Sequence, residues 1–309
     1  MKKIATIIFC MMIMSTLYTA IIPGEKLSIN TKRNETLSEL NLNNAPIWEK
    51  GERWRYRISN LELGDADIVL FKITINDLSF TVVDNSGTSY NLKTKANIGG
   101  SFEFNNSLLE GYGISGELKK SKLTGNIYFR KTDLGLEKID LYFTGKFSLN
   151  FDMPDFPIPL QNIPFRFSFE SSFDFSSPLT LFSFPLKVGN LWGQSATELT
   201  IDGKISSLWF YIIDFINNFL TILPPEIEIL MPVISLNNII PIPENSIMYN
   251  CSSIEMKTVQ AGTYESYKIS MGEIFNYYYS PELRNIIEIS IEPLYMELIE
   301  YDKNVNIEY

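Results

Sequence analysis

The side chains that most often carry chemistry are scarce in this chain, and the scarcity is informative. None of its 309 residues is histidine. That removes Ser-His-Asp and Cys-His mechanisms, imidazole ligands for zinc, and the one side chain whose ordinary pKa lies near neutrality. Of the two cysteines, Cys10 stands inside an N-terminal apolar run, which leaves Cys251 alone in the body of the chain, read as a small apolar residue in a strand. Gly111-Tyr112-Gly113-Ile114-Ser115-Gly116 has the spacing of a dinucleotide-binding loop, with Glu137 where a ribose-binding acid would stand. The residues after it do not open a helix, and a helix N-terminus is what holds a pyrophosphate, so a glycine-kinked turn between strands is the better reading. Asp65-x-Asp67 and Glu226-x-Glu228 lack the dense oxygen loop of a calcium site and read as solvated carboxylates. No spacing marks a catalytic carboxylate pair. The expectation is a protein that is not an enzyme, with no catalytic residue, cofactor or metal. Asn34, Asn105 and Asn250 open N-glycosylation sequons, usable on an exported chain.

What the chain does hold in quantity is aromatic surface. Eleven of the 21 phenylalanines fall between Phe143 and Phe184. Phe165, Phe167, Phe169, Phe173 and Phe175 alternate with polar residues, which predicts a strand roughly 36 Å long with five rings on one face. Such a face approaches 1,000 Å², on the order of several times what a soluble monomer exposes, so something must cover it. Leu208 to Leu223 reads as a helix stopped by Pro224-Pro225, with Trp209, Phe210, Ile213 and Phe219 on its wide apolar face and Asp214, Asn217 and Asn218 opposite. Three roles stand open for it: a helix packed on the sheet, a lid over an apolar cavity, and an interfacial membrane helix. No Lys or Arg lies between Lys204 and Lys257, which disfavours the last. The net charge of -10 argues against a nucleic-acid partner, whose phosphates need a basic face.

The elements that must position these residues begin beyond the N-terminus. Lys2 and Lys3, an apolar run from Ile4 to Ile22, and Pro23-Gly24 have the layout of a signal peptide, or of an uncleaved N-terminal anchor, over 1–24. Either reading places the remainder outside the cytoplasm, secreted or at the cell surface. Residues 25–45 are polar and aperiodic, a flexible lead-in. From Trp54 onward, period-2 runs such as DIVLFKITI, LSFTVV and IDLYFTGKFSLNF follow one another between strand-stopping clusters such as Asp84-Asn85-Ser86-Gly87 and Gly99-Gly100, with no alternating helical pattern, which predicts an antiparallel meander over 46–309. The run MPDFPIPLQNIP, with four prolines, is expected to stay outside any central strand. Gly51-Glu52-Arg53-Trp54 and Gly189-Asn190-Leu191-Trp192, each preceded by Pro and an apolar residue, form a weak internal echo. It suggests two halves, 46–183 and 184–309.

Val259 to Ile269, VQAGTYESYKI, followed by Tyr277 to Ile289, YYYSPELRNIIEI, resembles the ending of exported half-barrel families. These are similar to the bacterial lipoprotein-carrier (LolA-like) group and to archaeal and bacterial surface proteins with the same ending. The resemblance implies a strongly curved antiparallel sheet, open on one side and wrapped around a helix or an apolar cavity. The expected fold is therefore mainly β, a half-barrel with a helical insertion at about 208–223. The expected function is non-catalytic binding of a lipid or other apolar molecule between sheet and insertion, lined by the Phe165 to Phe175 strand. The alternative is a structural or interaction protein of the cell surface, docking a protein or the membrane surface.

Overall fold

A computed structural model describes residues 45–65, 69–105, 113–152, 160–207, 233–272, 275–291 and 294–306. These form fourteen strands: β1 (Arg53–Asp65), β2 (Val69–Asp84), β3 (Ser89–Asn105), β4 (Gly113–Arg130), β5 (Leu136–Asp152), β6 (Leu160–Leu179), β7 (Leu191–Gly193), β8 (Thr197–Ser206), β9 (Val233–Ile242), β10 (Met248–Val259), β11 (Gly262–Met271), β12 (Phe275–Ser280), β13 (Asn285–Ile291) and β14 (Leu294–Asp302). They make one antiparallel sheet, and no helix occurs among the described residues. The predicted insertion at 208–223 lies outside those residues. Alternation explains the strands: in β8, Thr197, Leu199, Ile201 and Gly203 are buried while Glu198, Thr200, Asp202 and Lys204 are exposed.

The sheet has two series of strands that meet at β1 and β14, with β7 and β9 at its edges. It runs from β1 through β6 to β8, and from β10 through β14, which pairs with β1. Only 194–196 separate β8 from β7, which pairs with β10, so one interrupted pass joins the two series. The space within is filled by Trp54, Tyr56, Phe173, Tyr249, Ile269, Tyr277 and Leu298, all buried. Between β6 and β7 the chain tucks Phe182 against Tyr277 and Tyr279, and Tyr277 donates to the Leu181 carbonyl.

Local features repeat between the two series. Gly51 (φ +93°) donates to Val82 O, and Val82 N donates to Glu52 O; Gly189 (φ +88°) donates to Cys251 O, and Cys251 N donates to Asn190 O. The positive φ explains why glycine occupies both places. The register slips between Tyr128 and Phe129 in β4 and between Tyr278 and Tyr279 in β12. In the turns that follow, Leu134 (φ 56°) and Arg284 (φ 57°) hold the same left-handed backbone.

The series differ in length, and that difference positions the site. β2 to β6 are 16 to 20 residues long, whereas β11 to β14 are 6 to 10. β14 stops pairing with β1 at Ser59↔Tyr295. Beyond that level, among the described residues, the sheet continues through β1 to β6, across the row Ile73, Gly100, Leu118, Phe147 and Phe165. β6 enters with Pro164 opposite Ser148, inside the stretch expected to avoid central strands. Among the described residues β8 joins β6 from Ser168 onward, past Pro164. Gly99-Gly100 likewise does not stop a strand. Gly100 (φ +148°) sits at a register shift within β3, where a Cβ would meet the Lys72 carbonyl oxygen at 2.1 Å.

Candidate functional site

The face that carries the core continues along the long strands as an aromatic surface. β5 presents Phe143, Gly145 and Phe147 at period two, opposite Phe169, Phe167 and Phe165 of β6. The glycine is what lets the rings lie down: a Cβ at Gly145 would stand 2.4 Å from Phe167 Cε1 and 2.7 Å from Phe143 Cε1. Gly116 in β4 does the same beneath Phe102, at 2.4 Å from its Cε1. Phe147 and Phe167 stack with centroids 5.2 Å apart and planes 4° apart, and Phe102 meets Phe147 edge-on at 5.1 Å. These are favourable ring geometries.

The five predicted phenylalanines share this face but not one environment. Phe173 is buried in the main cluster, with Phe175 packed against it. Phe169 and Phe143 form a separate cluster with Leu118, Leu123, Phe167 and Ile205 around them, and Phe165 is half-buried further along. Trp209, Phe210, Ile213 and Phe219 lie outside the described residues, as does Asn34. Asn105 ends β3, and Asn250 lies half-buried within β10, paired to Leu191 on one side and Ser270 on the other. The opposite face of the long strands is polar, with Lys72, Glu117, Lys122, Lys146 and Arg166 exposed.

A row of mostly small residues crosses the sheet, and on β6 and β8 it separates the two clusters. Thr94, Gly125, Leu141, Ser171 and Gly203 are neighbours across β3, β4, β5, β6 and β8. Thr94 (2% exposed) and Ser171 (7% exposed) are buried, and neither hydroxyl has a hydrogen-bond partner among the described residues. Both were missed in the sequence, because which face a hydroxyl occupies depends on cross-strand register.

Two buried carboxylates were also missed. Glu52 (1% exposed) pairs with Arg284, accepts from Tyr301 Oη at 2.6 Å and from Glu49 N at 2.8 Å. Trp48 and Trp54 donate their indole N–H to Arg284 O and Leu283 O, at 2.7 and 3.1 Å, so the segment before β1 is clasped to the β12–β13 turn. Burial and the Glu52 hydrogen bond push the Tyr301 phenol up to about 12. Glu288 (3% exposed) pairs with Lys257 at 2.7 Å and accepts from Tyr295 Oη at 3.0 Å, with the Lys257 ammonium 4.0 Å from the Tyr278 ring centre. Burial opposes the charge on Lys257, but the Glu288 hydrogen bond and the nearby negative charge together outweigh it and raise its pKa. Each carboxylate is held by its own cation, an arrangement that pins turns and strands together. Burial likewise pushes the Cys251 thiol up to about 12, which leaves it a poor nucleophile at neutral pH. Gly113 to Gly116 begin β4 rather than opening a helix, so no pyrophosphate cradle forms there.

Comparison with protein-family models, with curated proteins and with solved structures finds no match.

Proposed function

We propose that this is an exported, non-catalytic protein that binds a lipid or other apolar molecule against the aromatic face of β3 to β6. The observation that carries the reading is the continuation of that face past the level where β14 ends, with Phe102, Phe147, Phe165 and Phe167 on it. A sheet that needed only to enclose its core would end with the strands that cover it. The chain between the paired residues Ser206 of β8 and Val233 of β9 includes the expected insertion, 208–223, and β8 is the neighbour of β6. The matched glycines, register shifts and turns support two related halves, the first lengthened to carry the site. The likeness of the β10 to β13 segment to lipoprotein-carrier proteins and the signal-like N-terminus fit the same picture, outside the cytoplasm.

Natively purified protein, extracted with organic solvent and analysed by mass spectrometry, is expected to yield a stoichiometric apolar species. Delipidated protein is expected to bind the neutral dye N-phenyl-1-naphthylamine. Phe165→Ser and Phe167→Ser should each weaken that binding at least about tenfold, from the lost apolar contact of one ring. No extracted species together with no dye binding would replace this reading with that of a cell-surface structural or interaction protein.

A further inference from the structure

The boundary between the two apolar clusters names the chemistry of the bound molecule, on the premise that the aromatic face is its site. Ser171 lies on β6 between Phe169 of the aromatic cluster and Phe173 of the main cluster. Its hydroxyl is buried and has no partner, an arrangement that native proteins rarely leave unexplained. Across the sheet Ser171 neighbours Gly203 on β8, which has no side chain, and half-buried Leu141 on β5, which leans over Gly125, where a Cβ would meet Leu141 Cδ2 at 2.9 Å. None of the residues in this row, or in the inward rows on either side of it, is ionisable. A charged head group brought here would be stripped of water with no counter-charge. From Ser171 to Phe165 the strand covers roughly 20 Å, the reach of a long hydrocarbon chain.

We infer that Ser171 receives the polar end of the bound molecule and that this molecule is a neutral-headed amphiphile, an alcohol or ester rather than a fatty acid anion or phospholipid. Its chain runs outward over Phe169, Phe167 and Phe165, and its oxygen shares a hydrogen bond with the Ser171 hydroxyl once Leu141 is displaced. Thr94 provides the matched control. Its hydroxyl is equally buried and unpartnered, but it stands between Leu92 and Ala96 in the main cluster, about 14 Å away across three strand spacings.

The test is displacement of bound N-phenyl-1-naphthylamine by 1-dodecanol, dodecane and dodecanoate, on the parent, Ser171→Ala and Thr94→Val proteins. Ser171→Ala should weaken dodecanol about five- to tenfold, one hydrogen bond, and leave dodecane unchanged. Thr94→Val should alter neither, and dodecanoate should compete weakly with all three proteins. The urea midpoint of ligand-free Ser171→Ala should not fall, since the hydroxyl it removes has no partner; a fall would mark a structural role. The inference is overturned if Ser171→Ala changes dodecanol and dodecane alike, if it changes neither, or if dodecanoate binds as tightly as dodecanol. Failure of every probe to displace the dye would instead sink the reading of the face as an apolar binding site.

Discussion

Raising the pH should unfold this protein abruptly, and the structure sets where. Tyr56, Tyr249, Tyr277 and Tyr279 are buried in the main cluster, with exposures of 2, 2, 2 and 3%. Burial raises the pKa of each phenol above the ordinary value near 10. A group raised in the folded state favours folding below its unfolded pKa and loses that contribution as pH climbs toward its folded value. Above about pH 10 the unfolded chain therefore sheds four protons that the folded chain keeps. By about pH 11 each phenol has cost ~1.4 kcal/mol and the four together ~6 kcal/mol, comparable with the whole stability of an ordinary domain. The Cys251 thiol, raised to about 12 by burial, starts the decline somewhat earlier, near pH 9. With no histidine, no side chain with an ordinary pKa between about 5 and 8 titrates, so stability should be flat there. Urea midpoints read by tryptophan fluorescence across pH, beside tyrosinate absorbance of the native protein, check this. The expected result is a plateau to about pH 9, a steep fall between about pH 10 and 11.5, and a share of the tyrosinate absorbance that appears only with unfolding. Tyr249→Phe should reduce the alkaline slope by ~1.4 kcal/mol per pH unit. Tyrosinate absorbance that reaches its full unfolded amplitude while the protein is still folded would refute the enclosed core.

Two further substitutions probe the site and the clasp. Gly145→Ala should destabilise by about 1–3 kcal/mol, because its Cβ meets two packed rings, whereas Gly87→Ala, with nothing within 4 Å, should stay within about 0.5 kcal/mol; urea denaturation separates them. Arg284→Met should cost about 3–5 kcal/mol by leaving Glu52 buried without its cation, and more than Glu52→Gln, since the Arg284 side chain is 24% exposed and keeps some hydration.

Most of the strand content was legible because alternation is a local signal. DIVLFKITI and IDLYFTGKFSLNF fall in β2 and β5, and the five phenylalanines of β6 do share a face. Both Gly-x-x-Trp segments mark a glycine at positive φ turning into a strand. Glycine and proline were read less well, because their local meaning depends on what lies alongside. Gly100 serves a bulge inside β3 instead of a turn, and Pro164 lies within β6, opposite Ser148 of β5. The long-range pairing was not legible: β14 meets β1, and Glu52 meets Arg284, across more than 200 residues. Nor was the division of the aromatic strand at Ser171, which appears only when five strands are in register.

The lengthened first series carries a hazard that clarifies its purpose. Long strands ending in free edges, with rings on one face, are a template for aggregation. The chain counters this with exposed charge on the opposite face, at Lys72, Glu117, Lys122, Lys146 and Arg166, and with Pro241 in the edge strand β9. The rings themselves are held in place by Gly116 and Gly145, which cost strand propensity wherever they occur. Shortening β3 to β6 to the level of β14 would remove the rings, the glycines and the need for the charges, and would leave the main cluster enclosed. The proposed contact with apolar matter is a use that would keep such a surface under those costs.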